Sequence, residues 1–370
     1  MVSKNLKITI LDFDDIKNTL LGAGGARATY ALGSRFASKG HCVEVICSKY
    51  SGFRDRVEKG ISYKHIGLSS GNNRLNNIIY ILTLPFAVRR IRADVIIECF
   101  TSPISTLFSP LFTKIPVVAV PTSFEAERFA EKYHLPFQYI ENFGLRFYKY
   151  FIAPSKYFED KILEVNSHVV TKICPLGVDK NHLSIKPKTP KYILYLGRFD
   201  IGQKGLDLLI AAYAKVCNEL KIQLLLVGFG PDRARIIKII NDLGMQKHIK
   251  LVGPKYKKEK LELLSKALFF VAPSRHEGFC LAALEAFAVG VPVVSFDIPG
   301  LSWVSNEVSL KAKAFDDNDY AIKMIRASNP AINNKLRRKC KRFARNFSWE
   351  KVANEYLAFF NTVLNMHEKK

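Results

Sequence analysis

The chain is short of acid. Its 370 residues carry 33 Asp and Glu against 56 Lys and Arg, a formal net charge of +23, and so large an excess predicts an acidic partner. The cysteines are seven, an odd number, and no two stand in CxxC spacing. That argues against a disulfide framework and a cysteine zinc site, and predicts reduced, mostly buried thiols. No internal repeat, low-complexity tract or recognised nucleic-acid module is visible, and the aromatics sit inside apolar runs. Of the two polyanions that fit the charge, an anionic membrane surface is therefore favoured over nucleic acid. Met1-Val2-Ser3-Lys4 leads straight into an apolar strand with no signal-peptide pattern, so a cytoplasmic protein is expected.

What is present is a two-domain α/β pattern. The length suits about two domains, 48% of residues are hydrophobic, and strand-like and helix-like runs alternate through both halves. Residues 7–11 read as a strand, 22–25 as a glycine-rich loop, 26–38 as a helix and 42–47 as the next strand, a βαβ opening. The loop does not spell the dinucleotide fingerprint, which disfavours an NAD enzyme. Further strands are legible at 94–98, 116–120 and 148–153. Residues 182–190 are polar and proline-bearing and read as an interdomain linker. The tail from 348 to 360 has the spacing of an amphipathic helix.

The chemistry-bearing residues concentrate in the second half. A near-continuous apolar run at 267–272 suits a parallel strand covered on both faces, and an apolar helix follows at about 282–289. Between them stand Glu277-Gly278-Phe279-Cys280, with Glu285 on the helix. In open α/β sheets the carboxyl ends of strands hold the ligand crevice. Were the intervening residues helical, Glu277 and Glu285 would lie about 12 Å apart, enough to touch both ends of a nucleotide-sugar. The same spacing also fits a solvated loop glutamate and a helix glutamate paired with a lysine. Upstream, the strand 192–196 runs into Gly197-Arg198-Phe199-Asp200, and Lys204-Gly205 opens an amphipathic helix. Arg198 can grip phosphate oxygens through its planar fork and Lys204 adds a point charge, so the two can neutralise a diphosphate with no metal.

These motifs, in this order, resemble the retaining glycosyltransferases of family 4. The stretches at 197–214, 224–232, 251–254 and 273–300 are similar to its donor domain, and the resemblance runs more weakly through the first half, over about 350 residues. It implies a GT-B fold of two Rossmann-like doubly wound domains facing each other across a cleft. These would be an acceptor domain at 1–175, a nucleotide-sugar donor domain at 176–345 and a helix at 346–370 crossing back. It implies transfer from a nucleotide-diphosphate sugar to a lipid-linked or glycan acceptor with retention, and no cofactor. By the same resemblance Arg198 and Lys204 hold the diphosphate, Glu277 contacts the sugar, and the main chain at Gly278, Phe279, Cys280 and Leu281 lines it. Glu285 would hold the ribose hydroxyls, and Gly24, Gly25 and Gly253 would stand beside the donor. Cys280 departs from the frequent glycine.

Two departures matter. Many members carry a His after the 116–120 strand, where this chain has Thr122; Glu98, Glu125, Glu127 and His134 are then the remaining acceptor-contact candidates. The apolar segment 78–88 is followed by Arg89, Arg90 and Arg92, and reads either as a shallow interfacial helix or as a buried one; it is too short to span a bilayer. The alternatives to an active transferase are another GT-B enzyme, such as a sugar-nucleotide epimerase, and a silent basic scaffold.

Overall fold

The computed structural model describes residues 5–18, 24–100, 107–122, 124 and 126–368. The chain divides into two compact units, residues 1–176 with 349–370, and residues 177–348.

The first unit is built on an eight-stranded sheet. Its strands are β1 (Lys7–Leu11), β2 (Cys42–Ser48), β3 (Arg56–Glu58), β4 (Ile61–Ile66), β5 (Val95–Phe100), β6 (Val117–Pro121), β7 (Tyr150–Ala153) and β8 (Val170–Ile173), in spatial order β3-β4-β2-β1-β5-β6-β7-β8. Among the described residues only the edge hairpin β3–β4 is antiparallel. Alternation along the strands feeds two cores. Ile8, Ile10 and Ile97 join Phe36 and Phe360 on one face, and Leu11 and Ile96 join Tyr80 and Leu84 on the other. The first face is covered by the helices Gly24–Ser38 and Trp349–Glu368, which meet through Phe36 and Phe360, ring centroids 5.9 Å apart. The helix Gly24–Ser38 begins inside the expected glycine loop, so Gly24 and Gly25 form its first turn.

The second unit holds a six-stranded, wholly parallel sheet: β9 (Tyr192–Leu196), β10 (Leu224–Val227), β11 (Ile249–Val252), β12 (Ala267–Ala272), β13 (Val293–Phe296) and β14 (Ser309–Ala312), in order β11-β10-β9-β12-β13-β14. Nearly every residue of β12 is buried, which is why it reads as an unbroken apolar run. The expected linker at 182–190 is no free linker. Part of it lies in the short helix Lys180–Ser184, and the Lys188 N–H donates to the Ser265 carbonyl within the second unit. Its prolines mark a chain laid on a surface.

The segment 78–88 belongs to a longer helix, Asn73–Val88, that is buried along one side, as the core reading expected, and exposed along another. Tyr80, Leu84 and Val88 are buried, while Leu75, Ile78, Leu82 and Phe86, at spacings of three and four, leave an apolar stripe exposed.

Candidate active site

In the second unit β9 is the centre from which the chain winds outward in both directions, through β10 to β11 and then back across to β12, β13 and β14. Loops leaving the carboxyl ends of β9 and β12 therefore part company, and the gap between them is where open α/β sheets admit ligands. Arg198 and Lys204 stand on the loop after β9, Glu277 and Cys280 on the loop after β12.

Local chemistry fixes both loops. Asp200 caps the turn Ile201–Lys204 by accepting from the Gln203 N–H at 2.9 Å. Gly205 then takes a left-handed conformation, φ 60°, where a Cβ would fall 2.1 Å from the Pro273 carbonyl oxygen; no other residue fits. Arg275 binds the two loops together. Its guanidinium donates to both Asp207 oxygens at 2.7 and 2.8 Å and to the Ile201 carbonyl at 2.9 Å. Trp303 stacks on Phe279 at 4.3 Å and donates its indole N–H to the Phe279 carbonyl at 2.7 Å. Gly300 lets a third loop lie against Glu277, whose carbonyl oxygen would be 1.9 Å from a Cβ there.

The result is an ion pair at the switch point. Lys204 Nζ donates to Glu277 Oε1 at 2.7 Å, and Ser274 Oγ donates to the same oxygen at 2.6 Å. The Glu277 side chain is nearly buried and that of Lys204 mostly so. Burial disfavours the Lys204 ammonium, but the Glu277 carboxylate outweighs it and lifts the pKa above the ordinary lysine value. Arg198 lies exposed beside this pair. Cys280, with a thiol pushed far up by burial and by Glu277, holds a left-handed backbone at φ 63°. A non-glycine residue there costs on the order of 1 kcal/mol, which gives the glycine usual at this place a physical reason.

Glu285 is placed differently. It lies on the helix Leu281–Ala288, only 7% exposed, and accepts from Lys260 Nζ at 2.5 Å. Since helix begins only at Leu281, the helical-rise estimate of its distance from Glu277 does not apply. Both carboxylates are paired with lysines, Lys204 and Lys260, so Glu285 fits the reading of a helix glutamate paired with a lysine, whereas Glu277 is not the solvated loop glutamate of that reading. Gly278 and Leu281 are half-buried next to the pair, and Gly253 is exposed past the end of the edge strand β11.

The acceptor candidates scatter. Glu98 is corrected: it is wholly buried in the first unit, accepting a hydrogen bond from the Tyr148 hydroxyl and another from the Leu107 N–H at 3.0 Å. It cannot meet an acceptor there. Thr122, Glu127 and His134 are exposed, and Glu125 lies outside the described residues. Ser274, Arg275, Trp303, Lys260 and His182 escaped the sequence reading. Ser274 and Arg275 lie inside the motif that carried it, whereas Lys260 sits in a lysine-rich helix with nothing to mark it.

Two family models match: Glycosyltransferase Family 4 over residues 22–182 and Glycosyl transferases group 1 over residues 180–347. An uncharacterized glycosyltransferase of Methanocaldococcus jannaschii is 30% identical over 220 residues, 56% of this chain and 60% of the relative. A GDP-mannose:cellobiosyl-diphosphopolyprenol alpha-mannosyltransferase of Xanthomonas oryzae is 27% identical over 206 residues, 54% of each chain. The chain thus spans little more than half the length of these relatives. Among solved structures, a sucrose-phosphate synthase of Thermosynechococcus elongatus superposes with a TM-score of 0.79 at 19% identity, covering 97% of this chain and 99% of that one. The switch-point geometry, the two family matches and the superposition agree: the chain belongs to the glycosyltransferases of family 4 and group 1, with the GT-B fold.

Proposed function

We propose that the protein moves a sugar from a nucleotide-diphosphate sugar to a lipid-linked or polysaccharide acceptor, with retention at the anomeric carbon and without a metal. The observation that carries this is the Lys204–Glu277 pair between the loops of β9 and β12. Lys204 and Arg198 supply the counter-charge for a diphosphate, whose negative charge grows as it leaves. Glu277, held by Ser274 and Lys204, accepts from sugar hydroxyls. The bond from the anomeric carbon to the diphosphate oxygen breaks, and the acceptor oxygen bonds on the same face. The acceptor proton passes to the departing phosphate oxygen, so no protein base is needed where the chain has Thr122. Incubation with a panel of UDP- and GDP-sugars in excess chelator tests this. Slow hydrolysis of one donor is expected, and hydrolysis seen only with added divalent metal would contradict the metal-free reading.

The acceptor side of the proposal rests on the first unit. Besides the exposed stripe Leu75, Ile78, Leu82 and Phe86, the unit exposes Leu111, and on the helix Phe137–Leu145 Phe143 meets the Phe108 ring at 6.4 Å and Tyr139 is 70% exposed. Exposed apolar side chains of this kind, in a unit that also carries Arg89, Arg90, Arg92 and Arg146, fit an anionic bilayer: apolar side chains enter the interface and cations meet headgroups. The mannosyltransferase relative is named for an acceptor carried on a diphosphopolyprenol, which agrees with a peripheral place at the cytoplasmic membrane face.

A further inference from the structure

The second-unit site contains a lysine and a histidine that the diphosphate does not need. Glu285 is gripped from two sides, by Lys260 on the helix Lys257–Ser265 and by His182 on the short helix Lys180–Ser184. Both approach the same oxygen. Lys260 Nζ lies 2.5 Å from Glu285 Oε1 and His182 Nε2 lies 3.7 Å from it, too far for a hydrogen bond. Oε2 makes no hydrogen bond among the described residues. The two ring nitrogens of His182 are buried and likewise have no hydrogen-bond partner there. A buried imidazole with neither nitrogen satisfied is a costly arrangement in a finished core, but a natural one in a site that tightens when its ligand arrives, since such hydrogen bonds are often long without ligand.

We propose that Lys260 and His182 are the positioning residues through which Glu285 reads a ribose diol, pinning the carboxylate by Oε1 and leaving Oε2 to accept from the hydroxyls of a nucleoside diphosphate. This rests on the donor-site reading above. A ribose hydroxyl has a proton to give and a carboxylate only accepts, so Glu285 must stay ionised although buried. Burial opposes that ionisation, and His182 with Lys260 holds the carboxyl below the ordinary glutamate value. The site then rejects nucleotides that lack the hydroxyls, because a pinned acceptor is left unpaired.

Calorimetry with UDP, GDP and ADP, each against its 2′-deoxy and 2′,3′-dideoxy form, tests the proposal in the wild type and in Glu285→Gln, His182→Gln and Lys260→Gln. The wild type should favour the ribonucleotide at least tenfold. Glu285→Gln should abolish that preference, and His182→Gln and Lys260→Gln should each cut it severalfold. In turnover, the donor KM should rise in both while kcat holds. Lys260→Gln strips a buried carboxylate of its partner and can fail to fold; His182→Gln, checked by its melting temperature, then carries the test alone. A preference lost in Glu285→Gln but intact in the folded positioning variants overturns the inference and spares the donor site. A wild type that binds none of the nucleotides overturns both.

Discussion

The two sheets have the same winding and treat the carboxylates near their switch points in opposite ways. In the second unit Glu277 and Glu285 are paired with Lys204 and Lys260. In the first, Asp12 follows β1 and Glu98 lies within β5, neighbouring strands, and both are buried without a cation in contact among the described residues. Burial pushes Asp12 to a pKa of about 6, against hydrogen bonds from Thr29 and the Asp14 N–H, and pushes Glu98 to about 7, against those from Tyr148 and Leu107. One topology thus yields lysine-paired carboxylates in one unit and buried carboxylates held above their ordinary pKa in the other.

The comparison is broken most severely by removing the charged edge. Glu277→Ala and Lys204→Ala should each lower turnover by about tenfold to hundredfold, since a hydrogen bond to a charged group contributes about 1.5–3 kcal/mol. Steady-state assays beside far-ultraviolet circular dichroism check that the fold survives. Arg198→Ala, which removes an exposed cation, should weaken nucleoside diphosphate binding by less, measured in the same buffers with chelator.

The buried edge makes a prediction of opposite kind. Glu98 binds its proton more tightly folded, at about 7, than unfolded, at 4.5. Its contribution to stability is therefore fullest below pH 4.5, declines as pH rises through 7 and is flat above. Glu98→Gln should remove that decline, raising stability at pH 8 by about 3 kcal/mol and changing it little at pH 4.5. Thermal melts across this range decide the matter, and a variant destabilised equally at both ends would refute the buried-edge account.

The smallest expected effect concerns the apolar stripe. Leu82→Ser with Phe86→Ser should leave the melting temperature near that of the wild type, because both side chains are more than half exposed. It should reduce sedimentation with anionic vesicles severalfold. High salt should weaken, not abolish, wild-type pelleting, because inserted apolar groups are insensitive to screening. Equal pelleting with neutral vesicles would count against the basic rim.

The alternation of strand and helix was legible because parallel strands covered on both faces read as apolar runs, as β12 does. The family was legible because Arg198, Lys204, Glu277 and Glu285 follow one another in an order that chance seldom produces. Other features were hidden for physical reasons. Lys260 and His182 reach Glu285 across 25 and 103 positions of sequence, and no periodicity announces such a meeting. Glu98 sits in a strand otherwise rich in apolar residues, where the absence of polar alternation conceals which face a lone acid takes. The helix Asn73–Val88 is apolar on two faces, so its pattern separated core from stripe only once neighbours were in place.

Glu277→Gln and Glu98→Gln, measured side by side for donor hydrolysis and for stability against pH, test the contrast between the two edges most directly. The account predicts that Glu277→Gln loses most turnover, while Glu98→Gln keeps turnover and loses the Glu98 share of the decline between pH 4.5 and 7. Full activity in Glu277→Gln, or its loss in a well-folded Glu98→Gln, would contradict it.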